Sequence, residues 1–471
     1  MDTPFAQRRR ELMDALGDDS IAVIAGAPAP ADEGPFRQDP DLWMLTGFAE
    51  PDAVALFDPG HPEERYVLFV RPRDELAELW DGPRAGPEGA IRDHGADAAY
   101  PIGELSAKLR ERAIGRSAIV YRLGGSHDSL VTGLIQQARA MRSHGVTVPD
   151  RIVDPTPVLW EMRVQKTPAE LESLRRACAI SAEGHLEAMR VGAPGAYEYE
   201  VQAALEHRFR MSGSRRNAFG TIVASGPNAC VLHYVDNSRR IEQGDLVLVD
   251  AGAGFGEMAG DISRTFPADG SFSGPQRDLY EVVLAANEAA VAAVRPGASM
   301  KQVHETARRV LAEGMVALGL LPGPVDDALS MQHDRTFFPH GTSHLLGMDV
   351  HDVGATRLEG APRPLRSGMV FTIEPGLYVS PGRETVSLPL LPIDEEAQWE
   401  RRLRLGPQAS KRVEDEERAG AEEMEHPVPE AFCGIGIRIE DDVVVTEGGC
   451  EVLTSGVPKA VAEVEAACRR A

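Results

Sequence analysis

The sequence lacks the features that mark membrane, secreted and nucleic-acid-binding proteins. Its 471 residues contain no run of about 18 consecutive apolar residues, so we expect no membrane-spanning helix. The N-terminal stretch carries basic residues without a following apolar segment, which argues against a secretory signal. A formal net charge of -24 disfavours broad binding to nucleic acid or to anionic membranes, because phosphate contacts need clustered Lys and Arg.

Cysteine is also scarce. The five cysteines are scattered, odd in number and without CxxC spacing: Cys178, Cys230, Cys433, Cys450 and Cys468. This distribution predicts neither a disulfide framework nor a thiolate zinc site. We therefore expect a cytoplasmic protein.

The length predicts two or three domains, at roughly 150 residues per domain. Within residues 1–160, short β-rich runs alternate with helical stretches, one of them at 104–113. The strand-like runs are "SIAVIAG", "AVALFDPG", "RYVLFVRP" and "SAIVYRLG". This half reads as an α/β domain.

A long helix is predicted to open the second domain, residues 165–471. Thr167 supplies the N-cap, Pro168 the first helical position and Glu170 the third residue of a capping box. Further helical patterns cover 198–211, 276–294 and 299–318, and between and after them lie strand-like runs such as "DLVLVDAG", "GMVFTIEPGLYV" and "GIRIEDDVVVT". Helix pairs interleaved with strands predict an α+β domain.

Residues from about 381 to 429 differ from their surroundings. They are charged and weakly periodic, with few apolar anchors. We interpret them as an exposed insertion, partly helical or mobile, rather than as catalytic machinery.

Four carboxylates stand where strands should bring them together. Asp250 ends a buried-looking strand, and Asp261 begins the next strand after a Gly-rich connection. Taken alone, both could be ordinary turn residues. Glu374 and Glu440, however, fall inside apolar runs predicted as strands, where a glutamate is costly to bury unless it is paired or binds metal.

The stretch "PHGTSHLLGMDVHDVG" adds His340, His344 and His351 within twelve residues. Histidine can serve as metal ligand, proton carrier or hydrogen-bonded filler. Four carboxylates with one imidazole suit a pair of divalent ions such as manganese, with zinc, cobalt or iron as alternatives. Two such ions with a bridging hydroxide between them would point to hydrolysis.

In order, Asp250, Asp261, His344, Glu374 and Glu440 resemble the five-ligand set of the pita-bread-fold metallopeptidases, the family of methionine aminopeptidase, aminopeptidase P and prolidase. The words "LVLVDAG", "DISRTF", "HGTSHLLGMDVHDVG", "TIEPGLY" and "GIGIRIEDD" match this family as well. Outside the ligands, "FRQDPDLWMLTGF", "WDGPRAG" and "EMRVQKTP" resemble aminopeptidase P. The resemblance spans nearly the whole chain except 381–429, which makes the gap between Glu374 and Glu440 larger than in compact members.

The resemblance implies a role for each ligand. Asp250 would chelate one metal, His344 and Glu374 the other, and Asp261 and Glu440 would bridge the two. Glu374 would also act as general base and proton shuttle for the bridging water.

The resemblance also implies roles around the metals. His351 and His233, in "CVLHYVDN", would face the substrate and donate hydrogen bonds to its backbone and to the tetrahedral intermediate. His340 would orient the metal site without binding metal itself. Arg438, two residues before Glu440 on the same predicted strand face, would orient a carboxylate or form a plain salt bridge.

The activity implied is removal of an N-terminal residue from peptides with proline in second position, by a dimer or tetramer. Prolidase, which cleaves Xaa-Pro dipeptides, is the nearest alternative, and a non-catalytic scaffold of the same fold is a third. Methionine aminopeptidase is disfavoured because it has no comparable N-terminal domain, and creatinase because it lacks the metal set. A scaffold would have no reason to keep all five ligands.

Overall fold

The computed structural model describes residues 4–30 and 36–469. Its internal contacts divide the chain into two units, Met1–Arg163 and Val164–Ala471. Each unit has its own buried apolar core.

The N-terminal unit is built around a mixed sheet. Its described strands are β1 (Ser20–Ala25), β2 (Val54–Phe57), β3 (Tyr66–Val70), β4 (Ala98–Pro101), β5 (Ala118–Val120) and β6 (Arg151–Val153). The helices are α1 (Pro4–Leu16), α2 (Pro40–Thr46), α3 (Glu75–Asp81), α4 (Gly86–His94), α5 (Leu105–Ala113), α6 (Asp128–Met141) and α7 (Thr156–Val164). The strand order is β4-β3-β2-β1-β5-β6. Strands β2 and β3 are buried along their whole length, which explains their continuous apolar sequences.

The first helix of the C-terminal unit begins where the capping signals predict. Thr167 Oγ1 accepts a hydrogen bond from the Glu170 amide at 3.3 Å, and Glu170 Oε2 accepts one from the Thr167 amide at 2.7 Å. With Pro168 at the first helical position, this capping box fixes the start of α8 (Pro168–Val191).

The C-terminal unit interleaves helices with short strands. The remaining helices are α9 (Glu198–Met211), α10 (Gly274–Ala293), α11 (Met300–Ala317), α12 (Val325–Ser330), α13 (Glu395–Leu405), α14 (Pro407–Ala419) and α15 (Val461–Cys468). The strands are β7 (Arg216–Asn217), β8 (Ile222–Ser225), β9 (Leu246–Ala251), β10 (Ala253–Phe255), β11 (Met258–Ala259), β12 (Ile262–Pro267), β13 (Arg357–Leu358), β14 (Ala361–Pro362), β15 (Val370–Ile373), β16 (Gly376–Val379), β17 (Thr385–Pro389), β18 (Glu423–Pro427), β19 (Ile435–Arg438), β20 (Asp441–Val445) and β21 (Cys450–Val452). Short 3-10 turns lie in the N-terminal unit at Ile102–Glu104 and Arg142–His144. In the C-terminal unit they lie at Gly226–Cys230, His333–Thr336 and Glu430–Phe432.

Four antiparallel strand pairings, in three small sheets, carry or adjoin the predicted site residues. Strand β9 pairs with β8 and β12, β15 pairs with β20, and β16 pairs with β19. The connection from Asp250 to Asp261 is more elaborate than the predicted turn, because it contains the short antiparallel pair β10–β11. Even so, β9 and β12 lie side by side, with Asp250 opposite Ser263.

The charged segment that the sequence marks as an insertion folds as a two-stranded ribbon topped by two helices. Strands β17 and β18 pair over five positions, from Thr385 opposite Pro427 to Pro389 opposite Glu423. Val386 and Leu388 of the ribbon are buried in the main core. Helix α13 buries no residue fully, and α14 buries only Ser410.

Candidate active site

A cleft of about 570 Å³ in the C-terminal unit brings together every residue for which the sequence predicts a chemical role. Five of them are the expected ligands Asp250, Asp261, His344, Glu374 and Glu440, and four are His233, His340, His351 and Arg438. Much of the remaining wall is apolar, formed by Phe219, Ile222, Leu232, Val235 and Val350. The cleft therefore combines a polar floor with apolar sides, as sites for small organic ligands commonly do.

The two glutamates lie at breaks between strands, and not inside strands as the sequence predicts. Glu374 directly follows β15, and Glu440 stands between β19 and β20. At these points consecutive strands have different pairing partners, since β15 pairs with β20 whereas β16 pairs with β19. Both glutamates line the cleft at this change of ladder.

Main-chain hydrogen bonds tie each of these positions to a segment that carries another ligand. The amide of Glu440 donates to the Ser263 carbonyl at 2.9 Å, two residues after Asp261. The amide of Glu374 donates to the Thr342 carbonyl at 2.8 Å, two residues before His344. The ligand positions are thus fixed relative to one another by backbone.

The carboxylates are crowded and buried. Asp261 and Glu440 are 4% and 2% exposed. Burial and the neighbouring carboxylates raise the pKa of both side chains well above the usual range, and burial raises the pKa of Glu374 as well. Carboxylates in such a cluster need either protons or a bound cation.

His344 shows that a cation fits. Its Nδ1 lies 3.1 Å from the Leu345 carbonyl and must donate to it, so Nε2 carries the lone pair. That nitrogen faces Asp261 Oδ2 at 3.4 Å and Glu374 Oε1 at 3.6 Å. Donor atoms of Asp261, His344 and Glu440 all lie within 4.8 Å of one another. Asp250 Oδ1 is buried with no hydrogen-bond partner among the described residues. One imidazole nitrogen and several carboxylate oxygens that converge in this way form a donor set suited to a divalent cation.

Arg438 links the carboxylates from behind. Its Nη2 lies 2.6 Å from Asp250 Oδ2, and its Nε donates to Ser263 Oγ at 2.8 Å. Ser263 Oγ in turn donates to Glu440 Oε2 at 2.8 Å. Burial would lower the pKa of Arg438, but Tyr378 and the carboxylates of Asp250 and Glu440 raise it. The guanidinium is therefore a permanent cation that orients two predicted ligands.

His340 ends a hydrogen-bonded chain that starts at Arg438. Arg438 Nη1 donates to the Tyr378 hydroxyl at 2.9 Å, and that hydroxyl donates to His340 Nε2 at 2.9 Å. The other ring nitrogen, Nδ1, donates to the Gly341 carbonyl at 2.8 Å and lies 3.5 Å from Glu374 Oε2. Burial and the nearby Arg438 lower the pKa of His340 to about 4, so the ring is neutral near pH 7.

His351 and His233 are placed differently from His340. The His351 ring packs edge-on against the His344 ring, with centroids 4.2 Å apart. Burial and His344 lower the pKa of His351. Both His351 and His233 are solvent-exposed members of the cleft lining. Their position leaves them accessible to a bound molecule.

Three site residues were not predicted from the sequence: Ser263, Thr372 and Tyr378. Thr372 Oγ1 accepts from the His344 amide at 3.2 Å and donates to Glu374 Oε1 at 3.3 Å. Ser263 and Thr372 are polar residues in buried strands, at two residues' distance from Asp261 and Glu374. This spacing puts side chains on one face of a strand and is the signal that could have revealed them.

The comparison with known families agrees with this geometry. Residues 172–447 match the metallopeptidase family M24. The chain belongs to this family. Residues 5–121 match the N-terminal domain of aminopeptidase P.

Relatives within the M24 family extend over nearly the whole chain. The Xaa-Pro aminopeptidase of Escherichia coli is 38% identical over 470 residues, which cover 98% of this chain and 96% of that protein. The structure of aminopeptidase PepP from Pseudomonas aeruginosa matches with a TM-score of 0.86 and 41% identity, covering 98% of this chain and 97% of the other. A zinc-substituted E. coli aminopeptidase P in complex with product matches with a TM-score of 0.85 and 37% identity, covering 99% and 97%.

These matches confirm the predicted fold class, an α/β N-terminal domain followed by an α+β pita-bread catalytic domain. They also support divalent metal ions as the cofactor. Within the part of the chain that the structure describes, no helix has the length and apolarity needed to span a membrane.

Proposed function

We propose that this protein is a metal-dependent aminopeptidase that releases the N-terminal residue from peptides with proline in second position. The observation that carries the proposal is the meeting of all five predicted ligands with three histidines in one cleft. Full-length similarity to Xaa-Pro aminopeptidases supports the substrate class. Proline makes the scissile bond a tertiary amide without an N–H, so a dedicated site is needed.

The site suits two divalent ions, and manganese is the proposed metal. Four carboxylates and one imidazole form a hard, oxygen-rich donor set. In the proposed assignment Asp250 would hold one ion, His344 and Glu374 would hold the other, and Asp261 and Glu440 would contribute to both. When bound, such ions supply Lewis acidity and activate water for attack near neutral pH.

The chain's own groups have separate tasks in this proposal. Glu374 accepts the proton of the attacking water and passes it to the leaving amine, since its carboxylate faces the ligand cluster and its pKa is raised. His351 and His233 donate hydrogen bonds to the substrate from the rim of the cleft. His340 and Arg438 orient the carboxylates and do not touch substrate.

Two alternatives predict different chemistry. A prolidase would cleave only the dipeptide, and a non-catalytic scaffold would cleave nothing. Neither alternative gains support from the full-length relatives, which are aminopeptidases.

The deciding experiment compares Ala-Pro-Ala with Ala-Pro in manganese-loaded and chelator-treated protein, with release of free alanine as the readout. Metal-dependent cleavage of the tripeptide is expected. Cleavage of the dipeptide alone would replace the proposal with prolidase. No cleavage of either peptide by the manganese-loaded protein would overturn it.

Self-association and a cytoplasmic location complete the proposal. Helix α3 has no buried residue, and its side chains Leu76, Leu79 and Trp80 are 69%, 79% and 81% exposed. An apolar helix face of this kind is typical of an interaction surface. Light scattering after size exclusion should therefore give a dimer or tetramer, and a monomer would contradict this part. The low and scattered cysteine content is in keeping with a reducing compartment.

A further inference from the structure

Three of the cleft histidines lie in a segment with little regular structure. We define the histidine loop as residues 339–354. Within it the structure shows no helix and no strand, only an isolated bridge between Leu345 and Phe371. The 3-10 turn His333–Thr336 precedes the loop, and β13 follows it.

The inner part of the loop is held by the ligand-bearing sheet. The Leu346 amide donates to the Val370 carbonyl at 3.0 Å, and the Thr372 amide donates to the His344 carbonyl at 3.0 Å. Further along, Asp352 is paired with Lys166 at 2.9 Å. His351 itself lies on the exposed side of the loop.

The insertion reaches the segment before the loop through Glu395 at the start of α13. Glu395 Oε1 lies 2.7 Å from Arg308 Nη1, and Arg308 also holds Asp334 with Nε at 2.6 Å. The Asp334 carbonyl accepts the amide of Phe338 at 2.9 Å. The ring of Phe338 packs edge-on against His340, with centroids 4.7 Å apart.

The same helix reaches the segment after the loop. Glu396 Oε1 lies 2.5 Å from Arg357 Nη2, and the Arg357 guanidinium lies 4.7 Å from the centre of the Trp399 ring. Arg357 is the first residue of β13, six positions after His351. Adjacent side chains at the start of α13 therefore connect to the segments that precede and follow the histidine loop.

We propose that the 381–429 insertion positions the histidine loop by clamping its two ends through α13. Glu395, Glu396, Trp399 and Arg357 are positioning residues in this proposal. They touch no substrate in this proposal, because none of the four belongs to the described lining of the cleft. The proposal rests on the proposed peptidase function for its kinetic consequences, but the clamp itself can be measured without turnover.

The test begins with removal of the clamp from the full-length chain. The Leu390 amide donates to the Glu422 carbonyl at 2.7 Å, so replacing residues 391–421 by Asn-Gly should close the β17–β18 ribbon with a tight turn. Hydrogen exchange of amides at 345–358 should become faster, while those in α10 stay unchanged. In the manganese-loaded variant kcat/KM for Ala-Pro-Ala should fall about 10-fold, mainly through kcat. This is less than the roughly 100-fold that a 1 Å misplacement of a catalytic group can cost.

Point variants separate positioning from general destabilisation. Glu396→Arg should reproduce part of the loss, and Glu396→Arg with Arg357→Glu should restore it. Glu417→Arg is the matched control, because Glu417 pairs with Arg401 at 2.7 Å inside the helix hairpin. That control should leave both exchange and turnover at wild-type values.

Unchanged loop exchange and unchanged kcat/KM in the shortened protein would overturn the clamp. If the shortened protein does not unfold cooperatively, the point variants decide, and failure of the charge swap to restore turnover or loop exchange would overturn it. Inactivity of the wild-type protein on both peptides would instead overturn the proposed function, while hydrogen exchange would still test the clamp.

Discussion

Arg438 Nη2 lies 2.6 Å from Asp250 Oδ2 in the buried wall of the cleft. The same guanidinium reaches Glu440 through the hydroxyl of Ser263. One arginine thus orients two of the predicted ligands, which lie far apart in the sequence. A lysine lacks the planar fork with which Arg438 makes these two contacts from separate nitrogens.

Replacing Arg438 with Lys or Gln should weaken metal binding and turnover together. Outer-shell partners of metal ligands typically contribute 10–100-fold, so we expect about that loss in manganese affinity or in kcat/KM. Titration calorimetry and peptide hydrolysis measure the two effects. Arg295→Gln, at an exposed arginine outside the cleft, serves as control. Wild-type metal affinity and turnover in Arg438→Gln would show that the arginine is only a salt-bridge partner.

Removing a bridging carboxylate should abolish activity and binding of the second metal. Asp261→Ala and Glu440→Ala test this expectation, because each deletes one of the buried oxygens near His344. Metal content per chain, measured by elemental analysis, should fall from about two to about one or fewer. Asp278→Asn, at an exposed carboxylate on α10, is the control. Full activity in either ligand variant would contradict the site assignment.

His351→Ala should separate catalysis from metal binding. The ring packs edge-on against the His344 ring and is not one of the five proposed ligands, so metal content should stay unchanged. Loss of one preorganised donor to the reacting carbonyl costs about 100- to 1,000-fold in kcat in comparable sites. Loss of bound manganese in this variant would show that His351 is a metal ligand and not a substrate-binding residue.

The raised carboxyl pKa values predict how pH affects the metal-free protein. Unfolded Asp and Glu titrate near pH 4, whereas in the fold the pKa values of Asp261, Glu374 and Glu440 are raised by burial and, for Asp261 and Glu440, by neighbouring carboxylates. Their contribution to stability is therefore complete below about pH 4 and is lost as pH rises through the folded values. Bound metal replaces the protons and removes this loss.

The increase in Tm on adding manganese to chelator-treated protein should accordingly grow as pH rises from about 4. Differential scanning fluorimetry over a pH series measures it, with Asp261→Asn expected to flatten the dependence. An increase in Tm that is the same at every pH would show that these carboxyls do not hold protons in the metal-free fold.

The sequence predicted elements best where local signals are strong. The capping box at Thr167 located the start of α8, and helical periodicity located α9, α10 and α11 to within a few residues. The sequence also singled out the carboxylates, because a glutamate in an apolar run needs a partner, and the family resemblance added His344 to them; the structure places these residues in one cleft.

Strand pairing and side-chain contacts between distant segments could not be predicted from the sequence. Glu374 was expected inside a strand, since no local signal shows that β15 and β16 pair with different partners. Tyr378 was missed because its link between Arg438 and His340 depends on three distant segments meeting. The ribbon of the insertion was missed because β18 exposes most of its polar residues and reads as unstructured.

The backbone bonds from Glu440 to Ser263 and from Glu374 to Thr342 have an evolutionary consequence. They hold these segments in register through main-chain atoms, which any residue other than proline can provide at positions 374 and 440. A descendant of this chain could therefore exchange a ligand side chain, lose its chemistry in one step and still inherit the same architecture. The fold is in this sense a ready source of new binding proteins as well as of enzymes.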